Sequence, residues 1–322
     1  MRMIDLQAIR DARKAIAPFA KSTPLVRSQF LSNLCGGSVF LKLENLQVTN
    51  SFKTRGAFNR LLHLSLKEKT RGIITASAGN HGQAVAYAAR KLNFPAKIVV
   101  PENTPKIKID GIKKYGVDLV LFGDVYDEAE QKAKDLARKD KLVFVSPYND
   151  ELIVAGHGTI GLEIIEALPN VDAVIVPVGG GGLISGISIA IKSLKPNVQV
   201  IGVQSEASPV MYESLKAGKI VDAPKTATIA EGLSGGIEKG SITFEIIQKY
   251  VDRVVLVKEE AIRHAVYLLW SGEKQVAEGS GAAAIAPILE NKNLFAGKTV
   301  VAVITGGNID AELFQSIEAY FG

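Results

Sequence analysis

In the stretch NSFKTRGAF, Lys53 follows Phe52 at the start of a helix-like run. An ammonium placed there feels the positive end of the helix dipole, and beside Phe52 it loses hydration; both lower its pKa. A lysine perturbed in this way suits Schiff-base chemistry with a carbonyl compound. A lysine on a solvated helix face has the same local sequence, so companions elsewhere in the chain must decide.

Three loops supply candidates. In TASAGNHGQA, a strand runs into a helix through Ser77, Ala78, Gly79, Asn80 and His81. Small residues at a helix N-terminus leave N–H groups free to hold an anion such as a carboxylate, although a tight turn with an Asn cap uses the same residues. In VPVGGGGLISG, four glycines, Gly179, Gly180, Gly181 and Gly182, lie between a buried strand and a helix and are followed by Leu183. So many glycines cost conformational entropy, and a phosphate cradled by successive N–H groups explains them better than a surface turn. The run lacks both the dinucleotide spacing and the Walker pattern, which leaves a single phosphate group. In VVAVITGGNID, Thr305 ends a strand before another glycine turn; its hydroxyl can meet a ring nitrogen, or cap its own turn. An amine for an aldehyde, a phosphate cup, a hydroxyl for a ring nitrogen and a carboxylate turn together describe pyridoxal phosphate.

These loops need a scaffold, and strand-like runs alternating with helical patterns argue for βαβ units. GIITAS, AKIVVP, VDLVLFG and KLVFVS are strands separated by helical segments, and after Pro147 the alternation resumes through AVIVPV and VQVIGVQ. The expected fold is α/β, with two open, twisted, mainly parallel sheets and helices on both faces. Ligands of such sheets bind at the carboxyl ends of the strands. The chain has 322 residues, 47% of them hydrophobic, enough for about two domains by the usual length of ~150 residues each. A net charge of +5 spread among acids does not suggest nucleic acid, and no ~18-residue apolar run suggests a membrane span. The charged N-terminus does not resemble a signal peptide, and the single Cys35 has no metal-ligand spacing, so a soluble cytoplasmic protein without a metal is expected. His63, His157 and His264 are dispersed and read as packing or capping residues, and Trp270 as core.

The segments KLENLQVTNSFKTRGA, SAGNHGQAVA, GGGGLISG and TGGNID resemble those of pyridoxal-phosphate enzymes of the tryptophan-synthase β fold, in the serine/threonine dehydratase and serine racemase group. The resemblance covers nearly the whole chain in order. It implies that Lys53 carries the cofactor, that Phe52 lies against its ring, and that Asn80 bonds the ring's 3′-oxygen. It also implies that Gly179 to Gly182 with Leu183 hold the phosphate, that Thr305 faces the pyridine nitrogen, and that Ser77, Ala78, Gly79, Asn80 and His81 meet the substrate carboxylate. A larger cofactor-binding domain of residues 1–49 and 147–322, a smaller mobile one of 50–146, and a homodimer or homotetramer follow from the same resemblance.

Departures from the family pattern bear on the reaction. Similar racemases carry a second serine where this chain has Ala78, which has no proton to give to the face opposite the lysine. Elimination needs one acid/base group and racemisation two. The expected activity is therefore dehydration of L-threonine or L-serine to a keto acid and ammonia. Racemisation of serine or a related amino acid, and dehydration of 3-hydroxyaspartate, are the alternatives. The racemase metal site reads here as Glu206 with Tyr212 as second ligand, a poor pair for a hard cation. Asn50 replaces a usual glycine, Glu231 a common aspartate, and Glu278 lies in a segment that approaches the site in the family.

Overall fold

The computed structural model describes residues 4–322. Its strands are β1 (Leu25–Ser28), β2 (Ser38–Leu43), β3 (Ile73–Ala76), β4 (Ala96–Val100), β5 (Asp118–Leu121), β6 (Val143–Phe144), β7 (Ala173–Pro177), β8 (Gln199–Ser205), β9 (Arg253–Val257) and β10 (Thr299–Ile304). They form a six-stranded sheet of order β1-β2-β10-β7-β8-β9 and a four-stranded sheet of order β5-β4-β3-β6. Every pairing is parallel except β1 with β2, where a short edge strand turns back. The central strands β3 and β7 are buried along their whole length, as expected for parallel strands covered by helices on both faces.

Both sheets reverse their winding direction at one place. In the larger sheet the order climbs from β7 to β9 on one side and passes to β10 and β2 on the other, so the loops after β7 and β10 part at their strand ends. In the smaller sheet the corresponding gap lies between β3 and β6. A crevice opens at such a switch point because neighbouring crossovers leave to opposite faces. The four loops at the two gaps begin at residues 77, 145, 178 and 305, and three of them are the sequence-predicted glycine turns.

KLVFVS pairs over only two residues as β6. The Val145 N–H still bonds Ile74, but its carbonyl accepts from the Thr75 hydroxyl at 2.7 Å, and Pro147 has no N–H to continue the ladder. Trp270 is only half-buried: its ring meets Phe314 edge-on and its Nε1 donates to Glu318, so it clamps the C-terminal helix Ala311–Phe321 instead of filling the core.

The helix Glu151–Ala167 joins the parts. It is buried from Ile153 to Ile165 except Glu163, too broadly for a one-sided surface helix, and it packs on both the helix Lys53–Leu62 and the helix Gly182–Leu194. Close approach to the lysine helix depends on missing side chains: a Cβ on Gly156 would stand 2.7 Å from the Arg55 carbonyl oxygen, and one on Gly56 2.5 Å from the His157 ring. The spacing between lysine and glycine loop is thus set by one shared neighbour.

Candidate active site

The lysine turn and the threonine turn, 252 residues apart, are joined by backbone. Phe52 N–H donates to the Thr305 carbonyl at 3.1 Å, Gly307 N–H to the Asn50 carbonyl at 2.9 Å, and Ser51 bridges Gly306. Asn50 adopts φ 54°, in the left-handed region that glycine and asparagine tolerate best. That accounts for an asparagine where a glycine is usual. The chain then enters the helix Lys53–Leu62 with Lys53 as its first residue.

Lys53 opens on a cavity of about 610 Å³ that is also lined by Phe52, Ser77 to His81, Gly179 to Leu183 and Thr305. Every residue expected at the site from sequence therefore lines one cavity. The Lys53 amine donates to the Pro147 carbonyl at 2.8 Å, lies 5.2 Å from the Phe52 ring centroid, and is pushed down to about 8 by burial. No carboxylate pairs with it among the described residues.

At the glycine loop, Gly181 has φ 89°, a conformation that side chains disfavour, and the helix starts at Gly182. The Tyr148 ring covers the loop: a Cβ on Gly180 would lie 2.4 Å from it. Thr243 donates to the Gly180 carbonyl at 2.7 Å and fixes the turn from behind. Among the described residues, the N–H groups of 179 to 183 have no acceptor in the protein, so they form a ready anion cup.

The helix Asn80–Leu92 begins a second such cup. Gly79 N–H donates to the Ser77 hydroxyl at 3.2 Å, and a Cβ on Gly82 would strike the Ser77 carbonyl at 2.1 Å, so the turn closes tightly on its own helix. His81 donates through Nε2 to the Val145 carbonyl at 3.2 Å and is pushed down to about 3, first by burial and then by the Lys53 charge. It is a neutral ring held as part of the wall.

Asn80 is the middle of a polar chain that the sequence reading did not assemble. Asn308 donates to the Asn80 Oδ1 at 2.7 Å and to the Thr49 carbonyl at 3.0 Å, and Asn80 Nδ2 donates to Glu278 Oε1 at 2.5 Å. Burial, with a smaller push from Glu231, raises the Glu278 carboxyl to about 7 against the opposing Asn80 bond. Thr305 donates its hydroxyl proton to the Ser280 carbonyl at 3.2 Å and is itself buried. Tyr148 and Asn308 were also missed. Asn308 belongs to the TGGNID segment, which offered a signal, whereas Tyr148 follows a strand with no pattern of its own. His157 is buried beneath Phe52, edge to face at 4.7 Å, as its packing role implied. Both of its ring nitrogens lack a partner, and burial followed by the Lys53 charge keeps it neutral.

The model for "Pyridoxal-phosphate dependent enzyme" matches residues 16–306. The chain belongs to this family. It is 47% identical over 316 residues to the L-threonine ammonia-lyase of Thermotoga maritima, an alignment covering 98% of this chain and 78% of the relative. Its fold is similar to the processed form of threonine deaminase isoform 2 from Solanum lycopersicum, with a TM-score of 0.93, 37% identity, and 98% and 93% of the two chains covered. It is also similar to maize serine racemase, with a TM-score of 0.91, 33% identity, and 98% and 97% covered. As in this family, the cofactor is pyridoxal phosphate. The cavity suits it: one unpaired amine, an anion cup of free N–H groups and a buried hydroxyl lie around the same space.

Proposed function

We propose that the chain eliminates water from L-threonine and L-serine, giving 2-oxobutanoate or pyruvate and ammonia. The observation that carries the reading is the pair Lys53 and Ala78: Lys53 opens on the cavity as the base, and the loop position where the racemase pattern has a second acid/base group carries none. The names of the relatives, L-threonine ammonia-lyase and threonine deaminase, support the same reaction class.

Bound pyridoxal phosphate supplies an electron sink that acidifies the substrate α-carbon. The residues divide the remaining work. Gly179 to Gly182 and Leu183 would hold the phosphate by their N–H groups, and Phe52 would lie along the ring. Ser77, Ala78, Gly79, Asn80 and His81 receive the substrate carboxylate at a helix N-terminus, fixing the α-carbon before Lys53. A Lys53 amine with a pKa near 8 is partly deprotonated at neutral pH and serves as general base at Cα. Thr305 would face the pyridine nitrogen with a neutral hydroxyl, which would not hold a proton there as a carboxylate would, and this would suit loss of the β-hydroxyl.

In this reading residues 1–49 and 147–322 bind the cofactor while 50–146 move as a smaller unit; it is supported by β3 to β6 all coming from residues 73–144. The reading also takes the protein as a cytoplasmic homodimer or homotetramer acting on a free amino acid, which rests on family resemblance, and among the described residues no helix is long and apolar enough to cross a membrane. Holoenzyme incubated separately with L-threonine and L-serine, with keto acid and D-enantiomer followed together, tests the activity. Keto acid with negligible D-isomer is expected; D-serine accumulating faster than pyruvate would replace the dehydratase reading with a racemase.

A further inference from the structure

The cavity presents different charge on different sides. Two sides carry the N-termini of the helices Asn80–Leu92 and Gly182–Leu194, which favour anions. A third is built from the first turns of the helix Tyr126–Asp140 and from the segment 231–238, and it bears Asp127, Glu130, Glu231 and Glu238. Its cations are already committed. Lys108 lies 2.6 Å from Glu231, and Lys134 is shared by Glu130 at 3.0 Å and Glu238 at 2.6 Å. Two acids remain in excess on this side, and no arginine lines the cavity.

The acids are held in place. The second oxygen of Glu130 accepts from the Tyr126 hydroxyl at 3.0 Å, and that of Glu238 from Asn149 Nδ2 at 2.7 Å. The neighbouring phenols register the field: burial chiefly raises the pKa of Tyr126 and Tyr148, and Glu130 and Glu238 are among the charges that raise both further. The positive end of the helix Tyr126–Asp140 backs this wall, but Asp127 and Glu128 in its first turn stand against it.

We propose that this acidic wall selects the β-substituent: the site takes small amino acids whose β-carbon carries a neutral or cationic side group and turns away those with a second carboxylate or a phosphate. The inference rests on the β-elimination reading and narrows its substrate class. The cofactor phosphate takes one helix N-terminus and the α-carboxylate the other. A third anion directed at this side finds no uncommitted cation there and faces excess negative charge, a repulsion on the order of tenfold in binding at separations of several ångströms.

The decisive comparison uses two substrates of one size and different charge, L-threo-3-hydroxyaspartate and its neutral amide, L-threo-3-hydroxyasparagine. With holoenzyme at low salt, kcat/KM for the amide should exceed that for the acid by about tenfold or more, and the gap should narrow in ~0.5 M salt as the charges are screened. Glu130→Gln should move the ratio several-fold toward the acid, read within the same preparation. Equal kcat/KM for acid and amide, or a ratio indifferent to both salt and Glu130→Gln, overturns the proposal. If neither L-threonine nor L-serine yields keto acid, the β-elimination reading has failed on its own. Charge preference is then read from the absorbance of the bound cofactor on titration with L-asparagine and L-aspartate, and equal affinities would overturn it.

Discussion

Lys53 and Arg55 stand two residues apart on one helix, Lys53 half-buried at the cavity and Arg55 fully buried, with opposite electrostatics. Arg55 points into the protein, where its guanidinium meets Glu44 at 2.8 Å and Glu163 at 2.6 Å, and Glu163 also holds Lys42 at 2.5 Å. Thr23 adds a hydroxyl to Glu44, and Thr159 accepts from Arg55 at 3.1 Å. Burial opposes both charged forms but the opposite charges outweigh it: Glu44 and Glu163 raise the Arg55 pKa, and Arg55 with Lys42 lowers that of Glu44. Lys53 faces the cavity with a carbonyl as its hydrogen-bond partner and no acid, so burial alone acts and its pKa falls. A fully paired network anchors the helix, and the group left unpaired at its tip is the one available for chemistry. Glu278 extends the contrast from the acid side: it too lacks a cation and shifts toward its neutral form.

The largest effect should come from removing the unpaired amine. Lys53→Ala holoprotein should lose on the order of 10³-fold or more in keto-acid formation, since it lacks the general base, while keeping its circular dichroism spectrum. Residual activity within tenfold of the parent would place the base elsewhere.

Arg55→Met breaks the paired side of the comparison and strands the buried Glu44, while Glu163 keeps Lys42. A loss of about 3–5 kcal/mol in urea unfolding is expected, the cost of uncompensated buried charge. A loss below about 1 kcal/mol would mean that the network is dispensable.

Lys53→Met in cofactor-free protein should have the opposite sign. The folded pKa lies near 8, below the unfolded value near 10.5, so the parent bears the cost of a desolvated ammonium fully below pH 8 and sheds it as pH rises toward 10.5. The variant should thus be more stable by ~1–2 kcal/mol at neutral pH, after allowance for an amine that opens on the cavity, and the advantage should vanish above pH 10.5. Thermal melts across that range measure it.

Glu278→Gln supplies the acid-side counterpart. The folded carboxyl titrates near 7 and the unfolded one near 4.5, so the parent loses stability as pH rises between these values. Cofactor-free variant and parent should diverge over that window, with the variant gaining ~1 kcal/mol above pH 7. Parallel melting curves from pH 4.5 to 7.5 would show that Glu278 is not shifted.

Much of this was legible because it is local. A strand followed by small residues and a helix is readable at 73–82 and 173–184, where each turn leaves free N–H groups whatever the rest of the fold does, and a strand running into a glycine turn is readable at 299–307. Lys53 was legible from its place at a helix start. Glu278 was named through its segment, but its burial beside Asn80, the place of Tyr148 and the excess of acid around residues 127 and 130 were not legible, since a carboxylate in a loop or on a helix face looks the same in sequence whether it meets water or a cavity. Asn50 was noticed as a departure, yet its φ of 54° was needed to give it a reason.

By itself the sequence determined the alternation of buried strands with helices, the two anion-favouring turns, the glycine turn after Thr305 and the chemical type of the group at residue 53, because these depend on neighbours within about ten positions. Only the tertiary structure decided that the turns converge. Parallel strands send every such loop to the same end of the sheet, and the two changes of winding direction leave the crevice in which they meet. It also decided which charges are neutralised: Arg55 meets acids 11 and 108 residues away, and Lys53 meets none. Whether a side chain is paired depends on contacts of long sequence separation, and that pairing separates the charge that holds the helix from the amine left to react.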